Sequence, residues 1–200
     1  METFTYTHFP AQSSVVHIAL FTSVGNAKDI RARIVKASTL GGPEGDAERG
    51  AVNFAFIDAR LVTSRLHLQT AVYQAILSEA QGSLRTKTVH SEILWALNPS
   101  NNISEAIRRY GVSDSSSALL VVRIGSPDLK DVESLMRAIV DGTLSPLADL
   151  AALTDWSTVK KYYKLNGEPA IKEVAQDPER EREIVDNIIV SSVAMKSVQA

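Results

Sequence analysis

The 200-residue chain contains no cysteine. That single absence excludes disulfide staples, thiol nucleophiles and thiolate metal sites. Only His, Asp or Glu could then hold a metal. The four histidines, His8, His17, His67 and His90, include no pair at the His-x-x-x-His spacing that aims two imidazoles at one zinc, so no metal site is expected. Long apolar runs are missing as well, none approaching the roughly 18 residues of a membrane span, and Met1 to Pro10 has no basic region followed by an apolar one. The expectation is a nuclear and cytoplasmic protein with no membrane partner. An excess of one charge sign is also lacking: 21 basic and 23 acidic residues leave a formal charge of -2. A wholly basic nucleic-acid-binding surface is thereby excluded, and any RNA contact must be a local patch.

Recognisable catalytic machinery is absent too. His90-Ser91-Glu92 holds the residue types of a hydrolytic triad, but three consecutive residues entering a helix point in different directions and form no relay. No Gly-x-Ser-x-Gly motif or kinase signature set occurs. The glycine-rich stretch Gly41 to Gly50 lacks the Gly-Lys-Ser/Thr ending of a phosphate loop, and its Asp46 and Glu48 would repel an anion. The chain therefore reads as a non-enzyme with no catalytic residue and no cofactor; a carboxylate site assembled from distant positions is the remaining catalytic reading.

What is present is enough to build a core, since 44% of residues are hydrophobic and 22% charged, well inside the range of globular chains. The length fits one domain, residues 1–200. Val15 to Phe21, interrupted only by His17, Val52 to Ile57, and Ala118 to Ile124, interrupted only by Arg123, read as strands, the last near the centre of a sheet. Helical spacing follows Asn26, runs from Arg65 to a stop at Gly82, covers Glu92 to Leu97 and Asn102 to Tyr110, carries Val132 to Val140, and spans Thr154 to Leu165. Ser145-Pro146 and Asp177-Pro178 read as helix starts. Four glycines and a proline make residues 41–50 a mobile loop. Together these predict a mixed α/β (α+β) single domain with a central sheet flanked by helices.

Two surfaces stand out. Arg60, Arg65, Arg85, Lys87, Arg108 and Arg109 outnumber Glu79, Glu92 and Glu105 between Ala59 and Arg109, with Tyr73, Trp95 and Tyr110 interspersed. Such a patch can hold a single strand by phosphate contacts and base stacking; an ordinary solvated face with core aromatics is the other reading. On the last helix, Ile184, Ile188, Ile189 and Val193 form a stripe that packs either on its own core or into a partner's groove.

The stretch Thr86-Lys87-Thr88-Val89-His90-Ser91-Glu92-Ile93-Leu94-Trp95-Ala96-Leu97-Asn98-Pro99-Ser100, continuing through Asn101 and Asn102 to Ile103-Ser104-Glu105-Ala106-Ile107-Arg108-Arg109-Tyr110-Gly111-Val112, resembles the signature of the PRPK-binding protein family. Val24-Gly25-Asn26-Ala27-Lys28-Asp29-Ile30-Arg31, the segment from Phe56 to Ile76, and Val159 to Leu165 resemble it in the same order. Residues 41–50 and 168–182 carry extra residues and inherit nothing. The resemblance implies the small, non-catalytic subunit of the KEOPS complex, also called EKC. Such a subunit binds the complex's atypical small protein kinase and through it a glycoprotease-like ATPase subunit. It also supports threonylcarbamoyladenosine modification by helping recruit tRNA through its CCA end, and fungal relatives of the complex are linked to telomere maintenance. On that reading Arg85, Lys87, Arg108 and Arg109 are candidate tRNA contacts, and Ile184, Ile188, Ile189 and Val193 the candidate kinase interface. The alternative is a stand-alone single-strand RNA-binding module using the same basic patch.

Overall fold

The computed structural model describes residues 1–199. Along the chain lie β1 (Glu2–Thr5), β2 (Val15–Thr22), α1 (Ala27–Thr39), α2 (Gly42–Ala51), β3 (Ala55–Asp58), α3 (Arg65–Ala80), α4 (Val89–Leu97), α5 (Ile103–Tyr110), β4 (Leu119–Gly125) and α6 (Val132–Ile139), then β5 (Thr143–Ser145), α7 (Leu150–Leu153), α8 (Trp156–Tyr162), α9 (Pro169–Glu173), α10 (Pro178–Ala194) and α11 (Lys196–Gln199). The α+β class is the one expected. Contacts divide the chain into two compact units, one from Met1–Ala59 with Tyr110–Leu147, the other from Arg60–Arg109 with the chain from Ala148 onward.

The first unit holds the sheet, in the order β1-β2-β4-β3 with β5 also on β2, all neighbours antiparallel. β2 and β4 are central because their aliphatic runs can be covered on both faces; in β4 only Arg123 escapes full burial. On one face Ala19, Phe21, Leu119, Val121 and Phe56 pack against Ala27 and Ile30 of α1 and Val132 and Met136 of α6. Burying a side chain such as Phe21 or Met136 completely contributes about 1.5–3 kcal/mol. Asn26 stands at the start of α1 as expected, but its side chain does not cap that helix. Its Nδ2 donates to the Ile139 carbonyl at 2.8 Å and its Oδ1 accepts from the Asp141 amide at 3.0 Å, which ties the start of α1 to the end of α6.

Residues 41–50, expected to be a loop, fall on α2 and its N-cap Gly41. Pro43 sits in its first turn, where a missing N–H costs nothing. Arg33 of α1 pairs with Glu48, and Arg49 Nη1 donates to the Ala37 and Leu40 carbonyls at 3.1 and 2.7 Å, satisfying the end of α1 as a cation there should. Gly45 is needed for contact rather than for flexibility, because a Cβ on it would lie 2.3 Å from the Leu40 oxygen. The second strand begins at Ala55 rather than Val52, and Ser145, expected to open a helix, ends β5 with its hydroxyl 2.8 Å from Thr22 Oγ1. β1 and α9 were not foreseen.

The second unit is helical. α4 and α10 pack on α3, whose Leu68, Ala71, Val72, Ala75 and Ile76 are buried. Gly82, at φ 63°, follows the end of α3, and the Ser83 amide returns to the Ser78 carbonyl at 2.8 Å; a left-handed residue at that position is what such a stop requires. Asp177 caps α10, accepting from the Arg180 amide at 3.1 Å, as its sequence suggested.

Candidate functional site

The signature stretch folds as one hydrogen-bonded unit around α4. Thr88 and Ser91 cap its start reciprocally, Thr88 Oγ1 accepting from the Ser91 amide at 3.1 Å and Ser91 Oγ from the Thr88 amide at 3.2 Å, so two otherwise orphaned donors are satisfied together. Glu92 is buried on α4, and its carboxylate accepts from the amides of Arg85 and Thr86 and from the Thr86 hydroxyl, the last two at 2.8 and 2.6 Å. Ser91 and Glu92, two of the three triad-type residues, thus spend their polar groups on holding the segment before α4. That segment presents Arg85 and Lys87 outward, both exposed.

A second network closes the turn between α4 and α5. Asn98, fully buried, donates from Nδ2 to Ser100 Oγ at 2.9 Å and to the Ser100 carbonyl at 3.1 Å. The Ser100 hydroxyl donates to Glu105, whose other oxygen takes Arg109 Nη2 at 2.7 Å, and Arg109 Nη1 returns to Asn98 Oδ1 at 3.3 Å. The Ser100 hydroxyl first, then the Asn98 amide and Arg109, hold the Glu105 carboxyl below the ordinary carboxylate range.

Other family-like stretches buttress this turn. The Arg109 guanidinium lies 4.3 Å from the centroid of the Tyr162 ring, a cation–π contact, and the Tyr163 hydroxyl donates to the Leu97 carbonyl at 2.6 Å. Lys196, 4% exposed, donates to the carbonyls of Asn98 and Ser100 with its ammonium 4.5 Å from the Trp95 ring centroid. At the start of α3, His67 is completely buried; its Nδ1 lies 3.2 Å from the Thr63 amide, and Thr63 Oγ1 donates to Asp186 of α10 at 2.6 Å. Burial pushes the His67 imidazole down to about 3.

The candidate RNA contacts therefore divide. Arg85, Lys87 and Arg108 are exposed, whereas Arg109 is half-buried and committed to Glu105, Asn98 and Tyr162. Of the interspersed aromatics, Trp95 and Tyr110 are 4% and 0% exposed and unavailable for base stacking; Tyr73 is exposed. Trp95 sits on an α4 buried nearly all round, so its ring is covered whatever its phase. The C-terminal stripe divides in the same way. Ile189 and Val193 join Val185 in the unit's own core at 0%, 1% and 1% exposure. Ile184 and Ile188, flanking that seam, remain half-exposed.

Glu92 has a sequence signal, a carboxylate directly before the apolar run Ile93-Leu94-Trp95-Ala96-Leu97. Lys196 had none, because its partners are main-chain carbonyls. The arrangement builds a hydrogen-bonded segment before α4 that carries the exposed Arg85 and Lys87, and a closed turn after α4.

Residues 21–197 match the family model described as Kinase binding protein CGI-121. The chain is 36% identical to the EKC/KEOPS complex subunit CGI121 of Cryptococcus neoformans, over 99% of this chain and 100% of that protein. It is 33% identical to the Neurospora crassa subunit of the same name, over 99% of each, and 35% identical to that of Yarrowia lipolytica, over 84% of this chain and 90% of that protein. With a family match over most of its length and relatives similar from end to end, the chain belongs to the CGI-121 kinase binding protein family.

Proposed function

We propose that this protein is the non-catalytic, kinase-binding subunit of an EKC/KEOPS complex, working in the nucleus and cytoplasm. It holds the complex's atypical small protein kinase, and through that kinase the glycoprotease-like ATPase subunit. It supports threonylcarbamoyladenosine modification by helping to recruit tRNA through the CCA end, and shares the complex's link to telomere maintenance. The observation that carries this reading is end-to-end similarity to subunits so named, with the signature segment folded into one satisfied network rather than into a reactive site. Ile184 and Ile188 are the kinase contacts, and Arg85, Lys87 and Arg108 the tRNA contacts, with Arg109 bracing the turn.

Affinity purification of the tagged chain from native extract tests this, with an atypical kinase and a glycoprotease-like ATPase as the expected companions. Ile188→Asp should abolish kinase capture while the free protein keeps its thermal transition, because the carboxylate would be desolvated unpaired within the contact. A folded Ile188→Asp variant that still captures the kinase would move the interface elsewhere. Ile189→Asp should unfold the protein instead, as expected for a core position.

A further inference from the structure

The two polar interruptions of the central strands, His17 in β2 and Arg123 in β4, are register partners, and Thr3 of β1 is the partner of His17 on its other side. Thr3, His17 and Arg123 thus form a row across three strands. Side chains two residues apart share a sheet face, so the row continues the face on which Ala19, Phe21, Leu119 and Val121 lie under α1 and α6. It lies at the end of that face, with Thr3 exposed and His17 and Arg123 half-buried.

The groups in the row are incompletely satisfied. Arg123 donates to the Asn53 carbonyl and stands 5.5 Å from the centroid of the Phe54 ring, yet among the described residues no carboxylate pairs with it. A half-desolvated guanidinium with five donors in a fixed fork normally finds an anion. His17 Nδ1 lies 3.0 Å from Thr3 Oγ1, whereas its Nε2 is buried without a partner. With the Thr3 hydroxyl donating to Nδ1, the imidazole proton sits on Nε2. A bare N–H beside an uncompensated cation calls for an acceptor carrying negative charge.

We propose that the Thr3–His17–Arg123 row is an oxyanion-binding site, taking a phosphate or carboxylate group between the Arg123 fork and His17 Nε2, with Thr3 orienting the imidazole. The site is independent of the proposed kinase and tRNA contacts.

Burial, and then the Arg123 charge, hold the His17 imidazole below its ordinary value. Thr3 on β1 and the turn Ala11–Ser13 add no charged group to that environment. A bound oxyanion cancels the Arg123 charge and accepts from Nε2, so proton and anion each strengthen the binding of the other by the same factor.

The test follows the His17 ring resonances of the full chain by NMR across pH 5 to 9 in sulfate, in acetate and in chloride at equal ionic strength. Sulfate stands for a phosphate ester without titrating itself. Expected is a saturable rise of the His17 pKa by about one unit, equivalent to roughly tenfold tighter proton binding, in sulfate or acetate but not in chloride. The anion giving the lower half-saturation identifies the group the site takes. Arg123→Met should remove the rise. Arg123→Lys, which keeps the charge without the fork, should weaken it and serves where Arg123→Met perturbs the backbone spectrum. Identical titrations in all three salts, a rise that survives in a folded Arg123→Met variant, or one undiminished in Arg123→Lys, would overturn the site.

Discussion

The Lys196 ammonium donates to the Ser100 carbonyl at 2.7 Å, ninety-six positions earlier in the chain. Its second acceptor is the carbonyl of Asn98, the residue that closes α4, so the charge lies at the negative end of that helix dipole. The contact joins the last turn of the described chain to the centre of the signature segment, and it does so with a desolvated cation.

Burial pushes the Lys196 ammonium down to about 8, against a smaller opposing pull from Glu92. Since the unfolded lysine titrates near 10.4, the unfolded state binds more protons between those values, and this difference favours folding increasingly as pH rises. The buried charge costs about 3 kcal/mol below pH 8, and that cost fades by pH 10.5. The neutral amine keeps two donors for the two carbonyls. Urea unfolding at pH 7.5, 9 and 10.5 should show a more positive slope of stability in the wild type than in Lys196→Met, and parallel curves would count against this account.

His67 works in the opposite pH range. Its folded value of about 3 lies below the ordinary 6.5, so the unfolded chain takes up the proton first and stability falls as pH falls between them. From pH 7 to 4.5 the loss attributable to this one residue is roughly 2–3 kcal/mol. His67→Asn keeps an acceptor for the Thr63 amide without the titration. Its urea midpoint should vary less over that interval, even if its stability at pH 7 is lower.

How much of the fold the sequence makes legible depends on whether the signal is local. β2 and β4 announce themselves because seven or eight consecutive residues must be buried on both faces. β1, reading Glu-Thr-Phe-Thr, carries only a short half-buried alternation that a loop would share. In α2 the local propensity of three glycines and a proline argues against a helix, and tertiary contacts to α1 override it, with Gly45 conserving space for the Leu40 carbonyl. On α10 the apolar period marked a face correctly but could not say which half of it meets the core. Arg109 looked like any other member of a basic cluster, since its commitment to Glu105, Asn98 and Tyr162 is visible only in three dimensions.

Glu92 connects the stability of the signature segment to its proposed use. Removing its carboxylate in Glu92→Ala strands the Arg85 and Thr86 amides and the Thr86 hydroxyl, and unsatisfied buried donors cost about 1–3 kcal/mol each. A loss of at least 2 kcal/mol in urea is therefore expected, with faster hydrogen exchange at the Arg85 and Thr86 amides. The same change releases the backbone that holds Arg85 and Lys87 in place. If those cations contact tRNA phosphates, replacing Arg85, Lys87 and Arg108 with Ala should weaken tRNA binding and flatten its salt dependence, as fewer counterions are released. In the Glu92→Ala background the Arg85 and Lys87 replacements should cost less than in the wild type, because their positions are already lost, and the cycle of variants should be non-additive. Additive effects would mean that the segment's fixed conformation contributes nothing to RNA binding, and an unchanged salt slope in the triple variant would remove these residues from the interface altogether.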